Sequence, residues 1–180
     1  SNSWGSGTTE YSNALAKKID KFMRDNNDLL IVVSAGNDGS SLQTVRDPGT
    51  AKNCLTVGAT QSNRSGSGYG TNVNTIASFS SRGPANDNRT KPDVVAPGTN
   101  IVSTKSSLAS TSCTSSVGEG GYYSTCSGTS MSAPLVAGYV SLIRENFIEN
   151  LDISNPTAAL LKALIINGAQ DIGYGIPSNH

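Results

Sequence analysis

Gly128-Thr129-Ser130-Met131-Ser132-Ala133-Pro134 decides how this chain is read. Gly128 lets the backbone approach closely, and a helical apolar pattern follows from Met131 through Ala133, Leu135, Val136, Ala137 and Val140. The predicted helix runs from Ser130 to Asn146, with Pro134 expected in its first turn, where a missing N–H costs little. The Ser130 hydroxyl then sits at a helix N-terminus, where free N–H groups and the helix dipole favour negative charge. A serine opening a helix is by itself an ordinary cap. Small flanking residues that leave room for a substrate carbonyl make this one a candidate nucleophile, which still needs a base to take its proton.

Outward from that stretch, helical and strand-like patterns alternate. Tyr11, Leu15, Ile19 and Phe22/Met23 recur at helical spacing and predict a helix over Thr9 to Asn26, capped by Thr8 or Thr9. Leu29 to Val33 reads as a strand buried on both faces, broken at Ala35-Gly36-Asn37-Asp38-Gly39. Cys54 to Ala59, Asp93 to Ala96 and Ile101 to Thr104 read as further strands, and residues 105–127 as a long loop. Pro156 is expected to open a last helix ending near Asn167, with Leu160, Leu161, Leu164 and Ile165 as its apolar face. This alternation predicts one α/β domain with a mostly parallel sheet.

The 180 residues hold 13 basic and 13 acidic side chains, and only 14% are charged, so no polyelectrolyte partner is indicated. No basic stripe with interleaved aromatics points to nucleic acid, and the apolar runs are too short to span a membrane. Cys113 and Cys126 bracket a loop rich in Gly, Ser and Tyr. They either form a disulfide, which would stabilise by about 3 kcal/mol, or stay two thiols in a flexible insertion. The bridge is the expected state and, with it, secretion. Cys54 is expected as a small buried side chain. Asn63-Arg64-Ser65 and Asn88-Arg89-Thr90 fit the glycosylation sequon.

The heptapeptide resembles the nucleophile motif of the subtilisin-like serine proteases, the subtilases of peptidase family S8. Ser34-Ala35-Gly36-Asn37 resembles the segment that carries their oxyanion-hole asparagine, and Ser3-Trp4-Gly5 the strand end lining their substrate cleft. Phe79-Ser80-Ser81-Arg82-Gly83-Pro84 and Lys91 to Gly98 are two more family segments, in the expected order. The resemblance implies a three-layer subtilisin-like fold, a parallel sheet flanked by helices, here incomplete. It also implies a serine endopeptidase acting on peptides or proteins. Ser130 would form the acyl-enzyme, and the Asn37 amide with the Ser130 N–H would hold the oxyanion. Ser3, Trp4, Gly5, Ser34, Ala35 and Gly36 would wall the pocket for the residue before the cut. Val45 to Gly49 matches that pocket's floor, where Arg46 departs from the small residue common there. Pointing inward, Arg46 would favour acidic side chains; pointing outward, it would be solvated and paired with Asp47. Pro48 matches a position that can be cis in relatives.

The family's Asp and His motifs do not occur, and the only histidine is His180, in no such context. Both motifs would precede Ser1, so residues 1–180 resemble the C-terminal part of one catalytic domain, whose missing N-terminal part is an expected partner. On this reading the piece alone is inactive. No cofactor is expected for catalysis. Structural calcium, common in the family, has no located site, and Asn86-Asp87-Asn88 reads as a turn. The alternative is a non-catalytic subtilase-like binding or scaffold module. A nucleotide-binding domain is disfavoured, because neither Gly66-Ser67-Gly68-Tyr69-Gly70 nor Gly118-Glu119-Gly120-Gly121 joins a strand to a helix at the required spacing.

Overall fold

Three short parallel strands carry the site. A computed structural model describes residues 1–11, 14–66, 68–106, 108 and 113–173. Strands β1 (Val32–Ser34), β2 (Leu55–Thr60) and β3 (Val94–Pro97) form one sheet in the order β1-β2-β3, with Val33 opposite Thr56 and Gly58 opposite Val95. Asn2 bridges Val33 in parallel on the free side of β1. Every residue of β1 and β2 is buried, as expected for a parallel sheet covered on both faces.

Helix α1 (Ala14–Asp25) covers one face, packing Ala16 and Met23 on Val33, Ala51 and Cys54. Helices α2 (Thr129–Asn150) and α3 (Ala158–Asn167) cover the other, where Ala133, Val140, Leu161 and Ile165 meet Val32, Leu55 and Val57. The expected three-layer architecture is therefore present. A second, antiparallel sheet of β4 (Ile101–Thr104), β5 (Thr114–Val117) and β6 (Tyr123–Cys126) has the order β4-β6-β5, with a short 3-10 turn at Glu119–Gly121 between β5 and β6.

Several expectations need correction. Residues 105–127 are not one loop but contain β5 and β6, and a Cys113–Cys126 disulfide, Cα–Cα 4.8 Å, clasps their ends. The first apolar run pairs only from Val32, and Leu29 is 46% exposed. Helix α1 is described over Ala14–Asp25, and Thr9, Glu10 and Tyr11 are not helical as expected, although the Thr8 hydroxyl accepts the Glu10 N–H at 3.2 Å. α3 begins after Thr157, whose hydroxyl accepts the Leu160 N–H, so Pro156 lies outside it. Leu160 and Leu164 lie on its exposed side. Leu135 is likewise exposed rather than core.

A buried ionic knot ties the N-terminal ends of the strands to α3. Lys91 Nζ lies 2.7 Å from Asp93 Oδ2 and 2.8 Å from the Thr56 hydroxyl, and Lys162 Nζ lies 3.1 Å from Asp93 Oδ1. Lys162 also donates to the Cys54 carbonyl at 2.7 Å. Burial pushes the neighbouring Cys54 thiol up, consistent with an inert packed sulfur. Asp87 pairs with Arg89 at 2.8 Å, which holds its carboxyl below its ordinary value. The Asp47–Pro48, Gly83–Pro84 and Lys91–Pro92 bonds are cis. Among the described residues no helix is long and apolar enough to cross a membrane.

Candidate active site

The site forms where β1 ends. Crevices beyond the carboxyl ends of parallel strands are the usual ligand sites of such sheets. The chain leaves Ser34 into Ala35-Gly36-Asn37-Asp38, while Asn2 N–H bonds Val32 O at 2.8 Å and Ser34 N–H bonds Asn2 O at 3.0 Å. That pairing sets Ser3-Trp4-Gly5 alongside the same strand end. At Gly36, φ is +108°, and an added Cβ would lie 2.8 Å from Ser81 Oγ, so only glycine fits.

The start of α2 arrives through Gly98. Its N–H bonds Thr60 O at the end of β2 (2.9 Å), and its carbonyl accepts the Gly128 N–H (2.8 Å). A Cβ on Gly98 would collide with Ser132 Oγ and stand 2.9 Å from Gly128 O. Glycine there lets the nucleophile loop lie directly on the sheet.

Thr129, fully buried, is the hub that joins the two loops. Its N–H and its hydroxyl both donate to Asn37 Oδ1, each at 2.9 Å, and its hydroxyl oxygen accepts the Gly36 N–H at 3.2 Å. Two donors on the carboxamide oxygen fix which end of Asn37 is which. Its Nδ2 has no acceptor among the described residues and stands on the Gly128 side, 3.5 Å from where a Cβ on Gly128 would be.

Ser130 follows in the first turn of α2, where its N–H has no intrahelical acceptor. Its hydroxyl makes only a long contact, 3.4 Å to Ser3 O. Pro134 lies inside the helix, not in its first turn as expected from sequence. It therefore removes the N–H that would close on Ser130 O, and the Ser3 hydroxyl donates to that carbonyl instead, at 3.2 Å.

Ser3, Trp4, Gly5, Ser34, Gly36, Asn37, Asp38, Arg46, Thr129 and Ser130 line one open cleft of about 260 Å³. The structure thus brings the two sequence-derived loops to one hollow, with Trp4 half exposed at its edge. Ala35 does not line it: its side chain is fully buried, and only its backbone serves, bonding Val57 O and the Arg46 N–H. Arg46 points into the cleft and forks onto Asp38 through Nε and Nη2, not onto Asp47. The ion pair raises the Arg46 pKa, hydrogen bonding to Asp38 acting first. Asp47 is fully buried, and neither carboxylate oxygen has a hydrogen-bond partner among the described residues. Burial pushes its carboxyl up, only partly opposed by the Ala16 amide of α1.

A half-buried hydroxyl lining the cleft at a helix start, an unpaired backbone N–H and a free carboxamide NH₂ suit attack on a carbonyl with stabilisation of the resulting oxyanion. No imidazole reaches Ser130 among the described residues, and His180 lies outside them. Sequence reasoning missed Thr129, Asp38 and Ser81, whose hydroxyl accepts the Asp38 N–H at 3.1 Å. Thr129 and Ser81 lie inside the two family-like segments, but nothing in a contiguous motif says which residue holds which.

The sequence model of the subtilase family (peptidase S8) matches residues 1–180. Serine protease AprX of Bacillus subtilis (strain 168) is 39% identical over 143 residues, which take in 78% of this chain and 30% of that protein. Pyrolysin of Pyrococcus furiosus is 37% identical over 133 residues, 64% of this chain and 9% of its own length. Among solved structures, Sphericase superposes with a TM-score of 0.64 at 25% identity over 94% of this chain and 47% of that one. The self-cleaved protease domain of PatA superposes with a TM-score of 0.68 at 22% identity, over 95% and 53%, a likeness of fold alone. The chain spans about half of those solved structures and less than a third of these two relatives. A family match running from the first residue to the last means that this chain belongs to the subtilases.

Proposed function

We propose that this chain is the serine-bearing part of a secreted serine endopeptidase acting on peptides or proteins. One observation carries the reading: Thr129 takes up the Asn37 carboxamide oxygen and leaves its NH₂ free in the cleft that Ser130 shares. Ser130 Oγ attacks the scissile carbonyl. Its proton passes to a histidine oriented by an aspartate, both supplied by sequence N-terminal to Ser1. Oxygen charge develops between Asn37 Nδ2 and the Ser130 N–H. The oxyanion collapses, the scissile C–N bond breaks and the imidazolium gives its proton to the leaving amine; water, losing a proton to the same imidazole, then attacks the acyl-enzyme, and Ser130 Oγ leaves with that proton. Ser3, Trp4, Gly5, Ser34, Gly36 and Arg46 hold the substrate chain. The chemistry needs no cofactor.

Without an imidazole, Ser130 keeps its proton at neutral pH, so residues 1–180 alone are inactive on this reading. The Cys113–Cys126 bridge supports secretion, since such bonds persist in oxidising compartments. A fluorophosphonate probe tests the reading directly. On the protein with its N-terminal part it should label Ser130, and Ser130→Ala should abolish labelling and turnover together. No labelling, under conditions where a control subtilase reacts, would leave a non-catalytic binding module.

A further inference from the structure

Two opposite charges stand in the cleft beside the nucleophile. Arg46 Nε and Nη2 donate to Asp38 Oδ2 and Oδ1, so the pair is a two-bond fork rather than a chance approach. Both partners are anchored through the backbone. The Arg46 N–H bonds Ala35 O at 3.2 Å, and the Asp38 N–H bonds Ser81 Oγ at 3.1 Å. Buried Val45 and Asp47 flank Arg46. The arginine stem runs past Gly36, where an added Cβ would stand 3.6 Å from Arg46 Cγ, so the glycine leaves it room. Side-chain exposures of 40% for Arg46 and 32% for Asp38 leave the fork partly in water and partly against the cleft wall.

We propose that the Asp38–Arg46 fork sets the charge selectivity of this cleft: each partner cancels the other, and the cleft takes uncharged substrate side chains. This rests on the endopeptidase reading. A free Arg46 would draw a carboxylate, as its sequence position first suggests. A free Asp38 would draw an ammonium or guanidinium. With the fork closed, an entering carboxylate meets the Asp38 charge together with the Arg46 charge, and an entering cation meets the same balance. Neither gains, and each loses hydration on entering. Asp38 thereby counts as a specificity residue for a reaction in which it takes no chemical part.

The test uses the protein with its N-terminal part and three peptide series that differ at the side chain before the cut: uncharged, Glu and Lys. In the parent, kcat/KM should be highest for the uncharged series, and both charged-to-uncharged ratios should change little from low to high salt. Asp38→Asn should raise the Glu ratio, and Arg46→Gln the Lys ratio, each about tenfold, and salt should erode both gains. The double variant should return both ratios to about the parental values, so the single effects are not additive. A parent that already prefers Glu or Lys, or single variants that leave the ratios unmoved or shift them the same way, would overturn the proposal. Fluorophosphonate labelling of Ser130 in each variant reports a folded site independently of substrate charge. Labelling and turnover without charge selectivity would sink the fork alone, whereas absence of both in the parent would sink the endopeptidase reading and the fork with it.

Discussion

The orientation of one carboxamide is decided by a threonine 92 positions away. Thr129 gives Asn37 Oδ1 two donors and takes the Gly36 N–H in return. Asn37→Leu in the complete protein should lower kcat by about 100- to 1000-fold with little change in KM; that range is the one known for subtilisin, a member of this family, and is carried over from it. Thr129→Val removes both hydroxyl hydrogen bonds of the hub, the one given to Asn37 Oδ1 and the one taken from the Gly36 N–H, and should cost at least about tenfold in kcat. Thr129→Ser, which keeps the hydroxyl, should stay near the parent, and steady-state kinetics on one peptide separates the three. Asp47 allows a different test. An acid whose pKa is raised by folding binds its proton more readily in the native state, so it subtracts stability once pH rises above its unfolded value. Asp47→Asn should therefore melt higher than the parent at neutral pH. The gain should vanish at pH well below the ordinary carboxylate value, and calorimetry at both pH values checks it. Ser130 and Asn37 were legible as candidates because each sits in a motif of contiguous residues. Thr129's role and the Asp38–Arg46 fork were not, because a hydrogen-bond partner dozens of residues away leaves no local trace in sequence.

At the scale of elements, the readable parts were those with a strong apolar period. β2 matched its pattern closely and α2 was found with its start one residue and its end four residues from the expected bounds, though with Leu135 exposed, while β5 and β6 escaped because Thr114–Val117 and Tyr123–Cys126 show no alternation of apolar and polar residues. Backbone pairing and a covalent clasp define those strands, and neither leaves an apolar pattern in the sequence. Cys126 pairs with Ile101 in the ladder and stands two residues before Gly128. Reducing the bridge, which closes a separation of 13 residues, should cost about 3 kcal/mol by the chain-entropy argument. The protein should show a lower urea midpoint with reductant, and replacing both cysteines by serine should reproduce the loss. The knot beneath the sheet answers to a different rule. Asp93 faces two ammonium groups, Lys91 almost wholly buried and Lys162 mostly so. Asp93→Ala leaves those cations without a counter-charge and should cost about 3–5 kcal/mol, read as a shift of the same urea midpoint.

At the scale of the molecule, the described residues leave one face of α2 and α3 uncovered. Leu135, Tyr139, Leu142, Leu160 and Leu164 are all exposed there, and Leu135, Val136, Tyr139, Ile143 and Leu164 border an open groove beside β3. The Leu160 and Leu164 expectation failed for this reason: α3 is apolar nearly all round, and the described residues bury only its Ala158, Leu161 and Ile165 side. Apolar area of that extent on a helix pair is usually covered by further protein. The proposed N-terminal part, which would bring the histidine and aspartate, is the occupant that also completes the chemistry. Produced alone, residues 1–180 should bind an apolar dye and self-associate. Joined to the upstream sequence, the same residues should lose dye binding and gain turnover together, because one docking event covers the helices and delivers the base to Ser130. Tyr139→Glu should weaken both gains without altering any group in the cleft. Turnover gained while dye binding stays unchanged would show that the upstream part docks elsewhere and that this face serves another contact.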